Sequence, residues 1–196
     1  MKSFHSIDGS VVAPQGFLAA GLFCDVKSLG TGKGSNKGQK RDLALIVSEV
    51  PAKAAGMFTT NQICAAPVKV CVKHIADGKA QAVVINSGNA NACTGPRGLK
   101  DAKEMATLLA EELLLQPEDV LVGSTGRIRL ELPMPNIRRG IRQIVKELDD
   151  SPTAAHHAAE AILTSDTQFK EIAIEFKLGG QTVRLGGIAK GAGMIQ

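Results

Sequence analysis

The chain has 196 residues, enough for one large domain or two small ones with a substantial core. Its net charge is a modest +4, and its apolar fraction of 44% is ordinary for a globular protein. Aromatic residues are scarce, with six Phe and neither Trp nor Tyr, which argues against a protein that stacks on nucleic-acid bases. The core must therefore be built from small and aliphatic side chains.

The cysteines and the N-terminus indicate the cellular compartment. The four cysteines form no C-x-x-C pair, which argues against a zinc site, and nothing suggests a disulfide framework. The N-terminus lacks the apolar stretch of a signal peptide, and no apolar run reaches the length of a membrane span. We therefore expect a cytoplasmic protein with no metal site that binds neither nucleic acid nor membrane.

The first third of the chain predicts strands and one short helix. Residues 8–21 predict an opening strand and turn, because turn formers mix with small apolar residues. Residues 30–38 (GTGKGSNKG) superficially resemble a phosphate cradle, but no G-K-[ST] follows, so we predict a solvated hairpin loop. Residues 43–50 predict a buried strand. Pro67 is expected in the first turn of a helix that ends near Ile75.

A polar loop follows the next predicted strand. Residues 80–85 predict the strand, and residues 86–95 (NSGNANACTG) predict the loop, which is dense in Asn and Gly and carries no charge. Such loops often carry function, because small polar groups offer backbone donors at close range. The alternative is a tight structural turn in which Asn side chains bond the backbone.

Three helices and a strand follow. Amphipathic patterns predict helices over residues 99–115, ended by Pro117, and over residues 136–148. An Ala-rich helix is predicted over residues 152–163, where His156 and His157 are neighbours and so point in different directions, as surface histidines rather than a metal pair. Residues 120–122 predict a strand running into Gly123-Ser124-Thr125-Gly126. Five arginines predict a solvated helix face, with a site for acidic small molecules as the alternative: Arg127, Arg129, Arg138, Arg139 and Arg142.

The C-terminal part predicts an antiparallel hairpin. Residues 171–178 alternate apolar and polar side chains, Gly179-Gly180 suits a two-residue turn, and residues 181–185 return. The chain then enters the glycine-rich run 186–196, which contains Lys190. This run is either a truncated strand end or the product of cleavage nearby, with Lys190 lining the cleavage site. The interleaved strands and helices predict an α/β (α+β) fold of layered sheets packed with helices.

Two polar clusters suggest chemistry. In Ser124-Thr125-Gly126, a threonine hydroxyl beside a glycine N–H can stabilise a developing oxyanion, although a plain turn is the commoner interpretation. In residues 164–167, local turn and cap hydrogen bonds account for most such sequences.

Taken together, these segments resemble the α chain of the ornithine acetyltransferases, the self-cleaving glutamate N-acetyltransferases of arginine biosynthesis. The resemblance runs nearly end to end, and its most specific motifs are NSGNANACTG and K-G-x-G-M-I. It rests on Ala13–Phe17, Thr59–Asn61 with Ala65–Val68, Asn86–Gly95, Ser124–Gly126, Thr164–Thr167 and Gly187–Ile195.

The resemblance implies a DmpA/ornithine-acetyltransferase-like fold of the N-terminal-nucleophile type and roles for four residues. Residues 1–196 would form a single α-chain domain, completed by a β chain from the same precursor in an α2β2 heterotetramer. The nucleophilic Thr would be the first residue of that β chain. Thr125 and Gly126 would form the oxyanion hole, and Thr164 and Lys190 would bind substrate. The substrates would be N-acetylornithine and glutamate, with acetyl-CoA as a further candidate donor and no cofactor.

The chain departs from the family pattern at three positions. The family commonly reads S-T-G-V-I-G, whereas Arg127 and Arg129 flank Ile128 here, and Ser165 replaces a usual Thr. Two alternative functions use the same residues differently. One is an N-terminal-nucleophile aminopeptidase or amidase, in which water takes the acyl group. The other is a non-catalytic binding domain in which the motifs are structural.

Overall fold

The computed structural model describes residues 4–27 and 40–192, so the predicted loop 30–38 and residues 193–196 lie outside the described residues. Four strands form the larger sheet in the order β2-β3-β4-β5. Strands β2, β3 and β4 pair antiparallel, whereas β4 and β5 pair parallel. The strands are β2 (Phe17–Leu22), β3 (Leu43–Lys53), β4 (Lys79–Asn89) and β5 (Val120–Arg127).

Helices cover both faces of this sheet. The helices are α1 (Ala66–His74), α2 (Gly95–Leu113), α3 (Met134–Ile144) and α4 (Pro152–Ala161). On one face, Val84 and Val122 of the sheet pack in a core with residues of α1, α2 and α3, among them Met105 and Ile141. On the other face, the alanines of α4 pack on strands β2 and β3 in a smaller core. No phenylalanine is buried in the described part of the chain, as the composition predicts.

A second sheet lies outside α4. It is antiparallel in the order β1-β6-β7, with β1 (Phe4–Ser6), β6 (Lys170–Leu178) and β7 (Gln181–Ala189). The β6–β7 turn places Gly179 and Gly180 at φ of 58° and 82°, a pair of left-handed conformations that favours glycine. One face of the sheet buries Ala173, while its other face leaves Ile172 and Leu185 exposed.

The predicted elements are present, but several of their ends differ from the prediction. Strand β4 continues through Asn89, so the predicted loop 86–95 begins as strand, because β5 continues beside it as far as Arg127. The helix predicted over residues 99–115 begins earlier, at Gly95, and ends at Leu113, because Leu114 adopts a left-handed conformation with φ of 56°. The opening segment forms its strand late, at β2, after a short 3-10 helix at Ser10–Val12.

Short 3-10 helices also follow α1 at Ile75–Asp77, precede β5 at Pro117–Asp119 and follow α3 at Val145–Glu147. The histidines of α4 point in different directions, as predicted. His156 lies 2.7 Å from the Glu171 carboxylate, and His157 lies 3.1 Å from the Arg41 guanidinium. No helix within residues 4–27 and 40–192 is both long and apolar enough to span a membrane.

Candidate active site

The ends of the parallel strands β4 and β5 bring two glycines together. Thr125 pairs with Ser87, and Gly126 pairs with Gly88. Gly126 has a φ of 132°, and a Cβ atom built there would lie 2.4 Å from the carbonyl carbon of Gly88. Only glycine fits this close approach of the two strands. Gly126 is exposed, and the neighbouring Thr125 is half-buried. The S-T-G sequence is therefore strand rather than turn.

Lys190 joins two hydroxyl groups that are far apart in the sequence. It follows β7, and its ammonium donates hydrogen bonds of 2.9 Å to Thr125 Oγ1 and 3.0 Å to Thr164 Oγ1. The two threonines lie 65 and 26 residues before it. Because both hydroxyls accept from Lys190, each can donate its own proton to another group. The ammonium has three N–H donors, and these two contacts in the described chain use two of them. The third can bind a ligand.

A buried carboxylate holds this arrangement in place. The side chain of Asp166 is fully buried and accepts hydrogen bonds from Gly191 N at 2.6 Å and Thr164 N at 3.3 Å. It also pairs with Lys170 Nζ at 3.1 Å. Burial raises the pKa of this carboxyl, but the Gly191 N–H, the Lys170 ammonium and the Thr164 N–H outweigh burial and lower it to about 2. Asp166 is therefore ionised at neutral pH and ties the Thr164 segment to the segment after β7.

The asparagines of residues 86–95 make structural hydrogen bonds. Asn86 is buried, donates to the Asn89 carbonyl at 2.9 Å and accepts from Ser124 Oγ at 2.6 Å. Asn89 donates to the Glu131 carbonyl at 2.8 Å, and Asn91 donates to the Gly98 carbonyl at 2.8 Å. These contacts match the structural alternative for this segment. They fix the β4 end against which Thr125 and Gly126 are positioned.

A cleft of about 290 Å³ opens next to Gly126 and Thr164. Three basic residues line it, Lys27, Lys40 and Arg127, and its remaining lining residues are Gly88, Gly126, Thr164 and Ser165. No acidic residue is among these lining residues of the described chain.

The structure thus brings three of the predicted site residues, Thr125, Thr164 and Lys190, into direct contact and places Gly126 beside them. The predicted arginine group is divided. Arg138 and Arg142 face Glu104 and Glu112 on the helix surface, as the solvated-face interpretation predicts, and Arg139 bonds Asn136 there. Arg127 instead lines the cleft.

The sequence patterns do not identify Asp166, Lys27 and Lys40 as site residues. They predict a local turn around Asp166, and its hydrogen bond to Thr164 N is indeed local. Its contact with Gly191 joins residues 25 apart, and no local pattern reports such a contact. Lys27 and Lys40 flank the glycine-rich segment for which the sequence predicts a solvated loop. Their charge beside that segment was the one available signal.

Comparison with known proteins finds a matching protein family. A model described as the ArgJ family matches residues 27–196. The chain is 49% identical to the arginine biosynthesis bifunctional protein ArgJ of Symbiobacterium thermophilum over 187 residues, which are 95% of this chain and 44% of that protein. It is 47% identical to the ArgJ protein of Bacillus anthracis over 189 residues, 96% of this chain and 44% of that protein. The chain thus spans a little under half the length of these curated relatives.

Two solved structures have the same fold. The arginine biosynthesis bifunctional protein ArgJ of Bacillus halodurans matches with a TM-score of 0.90 at 41% identity, covering 100% of this chain and 97% of that chain. The ornithine acetyltransferase of Mycobacterium tuberculosis, solved in complex with ornithine, matches with a TM-score of 0.86 at 36% identity, covering 99% and 98%. The predicted ornithine-acetyltransferase-like fold is therefore confirmed.

Proposed function

Because the chain belongs to the ArgJ family, we propose that it is the α chain of a self-cleaving enzyme that transfers the acetyl group of N-acetylornithine to glutamate. The α chain, as a single domain, would work with a β chain from the same precursor in an α2β2 heterotetramer. Acetyl-CoA is a further candidate acetyl donor. The proposal includes a cytoplasmic location, which suits four free cysteines of which Cys93 is exposed.

One observation carries this proposal. Lys190 Nζ lies within hydrogen-bond distance of both Thr125 Oγ1 and Thr164 Oγ1, at the exposed backbone of Gly126. The resemblance assigns substrate and oxyanion roles to these same four residues. Their convergence from three separate segments supports one site that performs both roles.

Thr125 and Gly126 suit oxyanion stabilisation for a physical reason. The Thr125 hydroxyl accepts from a cation, so its own proton points elsewhere and its donor strength is increased. The Gly126 N–H is the second donor in the proposed hole. Two fixed donors aimed at a developing negative charge lower the barrier, since they need no reorganisation during the reaction.

The proposed reaction has two half-reactions. In the first, the hydroxyl oxygen of the β-chain N-terminal Thr attacks the acetyl carbonyl, its proton passes to the Thr's own α-amine, and the amide C–N bond breaks as ornithine leaves with that proton. In the second, the amine of glutamate attacks the carbonyl of the acetyl ester, the C–O bond breaks, and one proton of that amine passes through the Thr α-amine to the Thr oxygen, which restores the hydroxyl. The nucleophile, base and oxyanion donors all come from protein, so this chemistry needs no metal or organic cofactor.

Chain lengths support the cleavage part of the proposal. The curated relatives are more than twice as long as this chain, yet the solved structures match chains of nearly the same length as this one. Separate α and β chains would account for both observations. The small sheet exposes Ile172 and Leu185 on one face, and this supports a partner, since apolar residues exposed side by side are typical of interfaces.

The transferase is tested by incubating the complete complex with N-acetylornithine in the presence and absence of glutamate and measuring ornithine release. We expect release to depend steeply on glutamate, with parallel lines in a double-reciprocal plot. Equal release without glutamate would favour the hydrolase, and absence of a covalent acetyl adduct would favour a binding protein. Cleavage is tested separately, by intact mass of the product of the full gene, where an uncut and fully active chain would contradict it.

A further inference from the structure

The three basic residues that line the cleft next to Gly126 have no role in the proposed acetyl transfer. Arg127 lines this cleft and directly follows the proposed oxyanion donor Gly126. Where the family pattern commonly has Val, this chain has an arginine. Lys27 and Lys40 line the same cleft, and none of its lining residues in the described chain is acidic. The cleft is therefore a positively charged space that begins at the reacting centre.

The three cations differ in how they are held. Lys27 is only 4% exposed, its backbone N–H donates to the buried Asp42 carboxylate at 3.0 Å, and its ammonium donates to the Arg41 carbonyl at 2.5 Å. Its charge is fixed in the wall of the cleft. Arg127 and Lys40 are exposed on the cleft surface. The planar fork of an arginine suits a carboxylate, because it can donate two parallel hydrogen bonds.

We propose that this cleft is the subsite for the second carboxylate of the acceptor amino acid, with Arg127 as the residue that contacts it and Lys27 and Lys40 as supporting charges. This inference rests on the proposed acetyl transfer to glutamate. The attacking amine of glutamate is separated from its side-chain carboxylate by four bonds, which span roughly 5 Å at standard bond lengths. Arg127 is one residue from Gly126, with Cα atoms about 3.8 Å apart, so its side chain is within reach of that carboxylate.

The same subsite distinguishes the two substrates by charge. Glutamate places a carboxylate where ornithine places an ammonium group, while both carry the same α-amino and α-carboxylate groups. A positive subsite attracts the first and repels the second. Arg127 thus favours glutamate binding to the acetylated enzyme and assists the departure of ornithine after the first half-reaction.

The experiment replaces Arg127 with the family's usual residue and compares the two half-reactions in the complete complex. In a ping-pong reaction, kcat/KM for N-acetylornithine reports acetylation alone and kcat/KM for glutamate reports deacetylation alone. We expect Arg127→Val to lower kcat/KM for glutamate at least about tenfold, the size of a charge-assisted hydrogen bond. The value for N-acetylornithine should stay the same or rise. Arg127→Lys should retain part of the activity with glutamate.

Glutamine as acceptor isolates the charge, because it has the same shape without the second carboxylate. The wild-type preference for glutamate over glutamine should narrow about tenfold in Arg127→Val. Arg129→Gly is the matched control. Arg129 carries the same charge and lies two residues from Arg127, but its side chain does not line the cleft. This control should leave the preference unchanged.

The outcomes separate the two proposals. If wild-type enzyme transfers acetyl to glutamate but Arg127→Val keeps the wild-type preference, the subsite is wrong and the transferase stands. If wild-type enzyme releases ornithine equally without glutamate, the proposed transferase function is wrong, and the proposed subsite, which rests on it, is wrong too. If Arg127→Val fails to assemble, the same question is tested by measuring wild-type enzyme over a series of salt concentrations. There, rising ionic strength should lower kcat/KM for glutamate more than for glutamine, and equal effects would overturn the subsite.

Discussion

Among the single residues, the Thr125 hydroxyl accepts a hydrogen bond from Lys190, so its own proton is available for another group. We expect Thr125→Ala to lower the single-turnover acetylation rate by about 10²–10³, the usual effect of removing one oxyanion donor. Thr125→Ser should recover most of the rate, because it restores the hydroxyl. The exposed helical residue Thr153 provides the control, and Thr153→Ala should behave as wild type. Wild-type turnover in Thr125→Ala would exclude the role.

Arg129 carries backbone strain that the family's usual glycine would relieve. It has a φ of 65°, a left-handed conformation that L-residues other than Asn and Asp rarely adopt, and its N–H bonds the Ala92 carbonyl at 2.8 Å. We expect Arg129→Gly to raise the free energy of unfolding by up to about 1 kcal/mol, since relieved strain exceeds the added entropy of the unfolded chain. Denaturant unfolding of the complex measures this.

The neighbouring residue provides the comparison for that prediction. Ile128 is 58% exposed and is not among the described residues with positive φ. Ile128→Gly should therefore lower the free energy of unfolding, because glycine gains only unfolded-state entropy there. Equal destabilisation by both glycines would mean that Arg129 is not strained.

At the scale of elements, Asp166 connects the loop after α4 to the segment after β7. Because its pKa falls from 3.8 in the unfolded chain to about 2 when folded, its ionised form stabilises the fold. This contribution is complete above about pH 4 and is lost as pH falls through about 2. We expect the difference in unfolding free energy between wild type and Asp166→Asn to follow that course. Thermal unfolding of the complex between pH 2 and 7 measures it.

The adjacent Ser165 gives a variant that should lack this dependence. Ser165→Ala changes an uncharged side chain in the same loop. The difference in unfolding free energy between this variant and wild type should therefore not change with pH between 2 and 4. Asp166→Asn should also lower kcat at neutral pH, because the Lys190 segment loses its anchor at Gly191. A pH-independent difference for Asp166→Asn would contradict the anchoring role.

At the scale of the whole molecule, the small sheet leaves one apolar face uncovered in the described chain. Phe4, Ile172, Leu178 and Leu185 are 66%, 61%, 53% and 59% exposed, and strand pairing places them on one side. Under the proposed function, the β chain covers this face. We expect Ile172→Thr with Leu185→Thr to weaken assembly with the β chain by about 1–2 kcal/mol per residue, measured by the yield of complex in gel filtration.

Two exposed apolar residues elsewhere test whether that effect is specific. Val50 and Ile63 are 64% and 75% exposed and lie outside the small sheet. Val50→Thr with Ile63→Thr removes similar apolar surface and should leave the yield of complex unchanged. If both pairs reduced the yield equally, the small sheet would not be the interface.

Most of the helices and strands could be predicted from the amino-acid sequence alone. Alternation predicted β6, and the glycine pair predicted the turn and the returning strand β7. Amphipathic patterns predicted α2 and α3, while Pro67 and an Ala-rich run predicted α1 and α4. These features depend on neighbours within a few residues, so local chemistry is sufficient. The predicted ends of β4 and β5 were wrong because each strand continues as far as its partner strand does. The predicted end of α2 was wrong because the apolar pattern does not show that Leu114 adopts a left-handed conformation.

Which of the polar clusters share a site depends on the three-dimensional packing of the chain. Thr125, Thr164 and Lys190 come from β5, the loop after α4 and the end of β7, and their meeting depends on how α4 and two sheets stack. The family resemblance named these residues, but their spacing in the chain carries no distance between them. Asp166 and the cations of the cleft were missed for the same reason. Long-range contacts are chosen by packing, because a side-chain pattern specifies which face of an element is buried but not what lies opposite it.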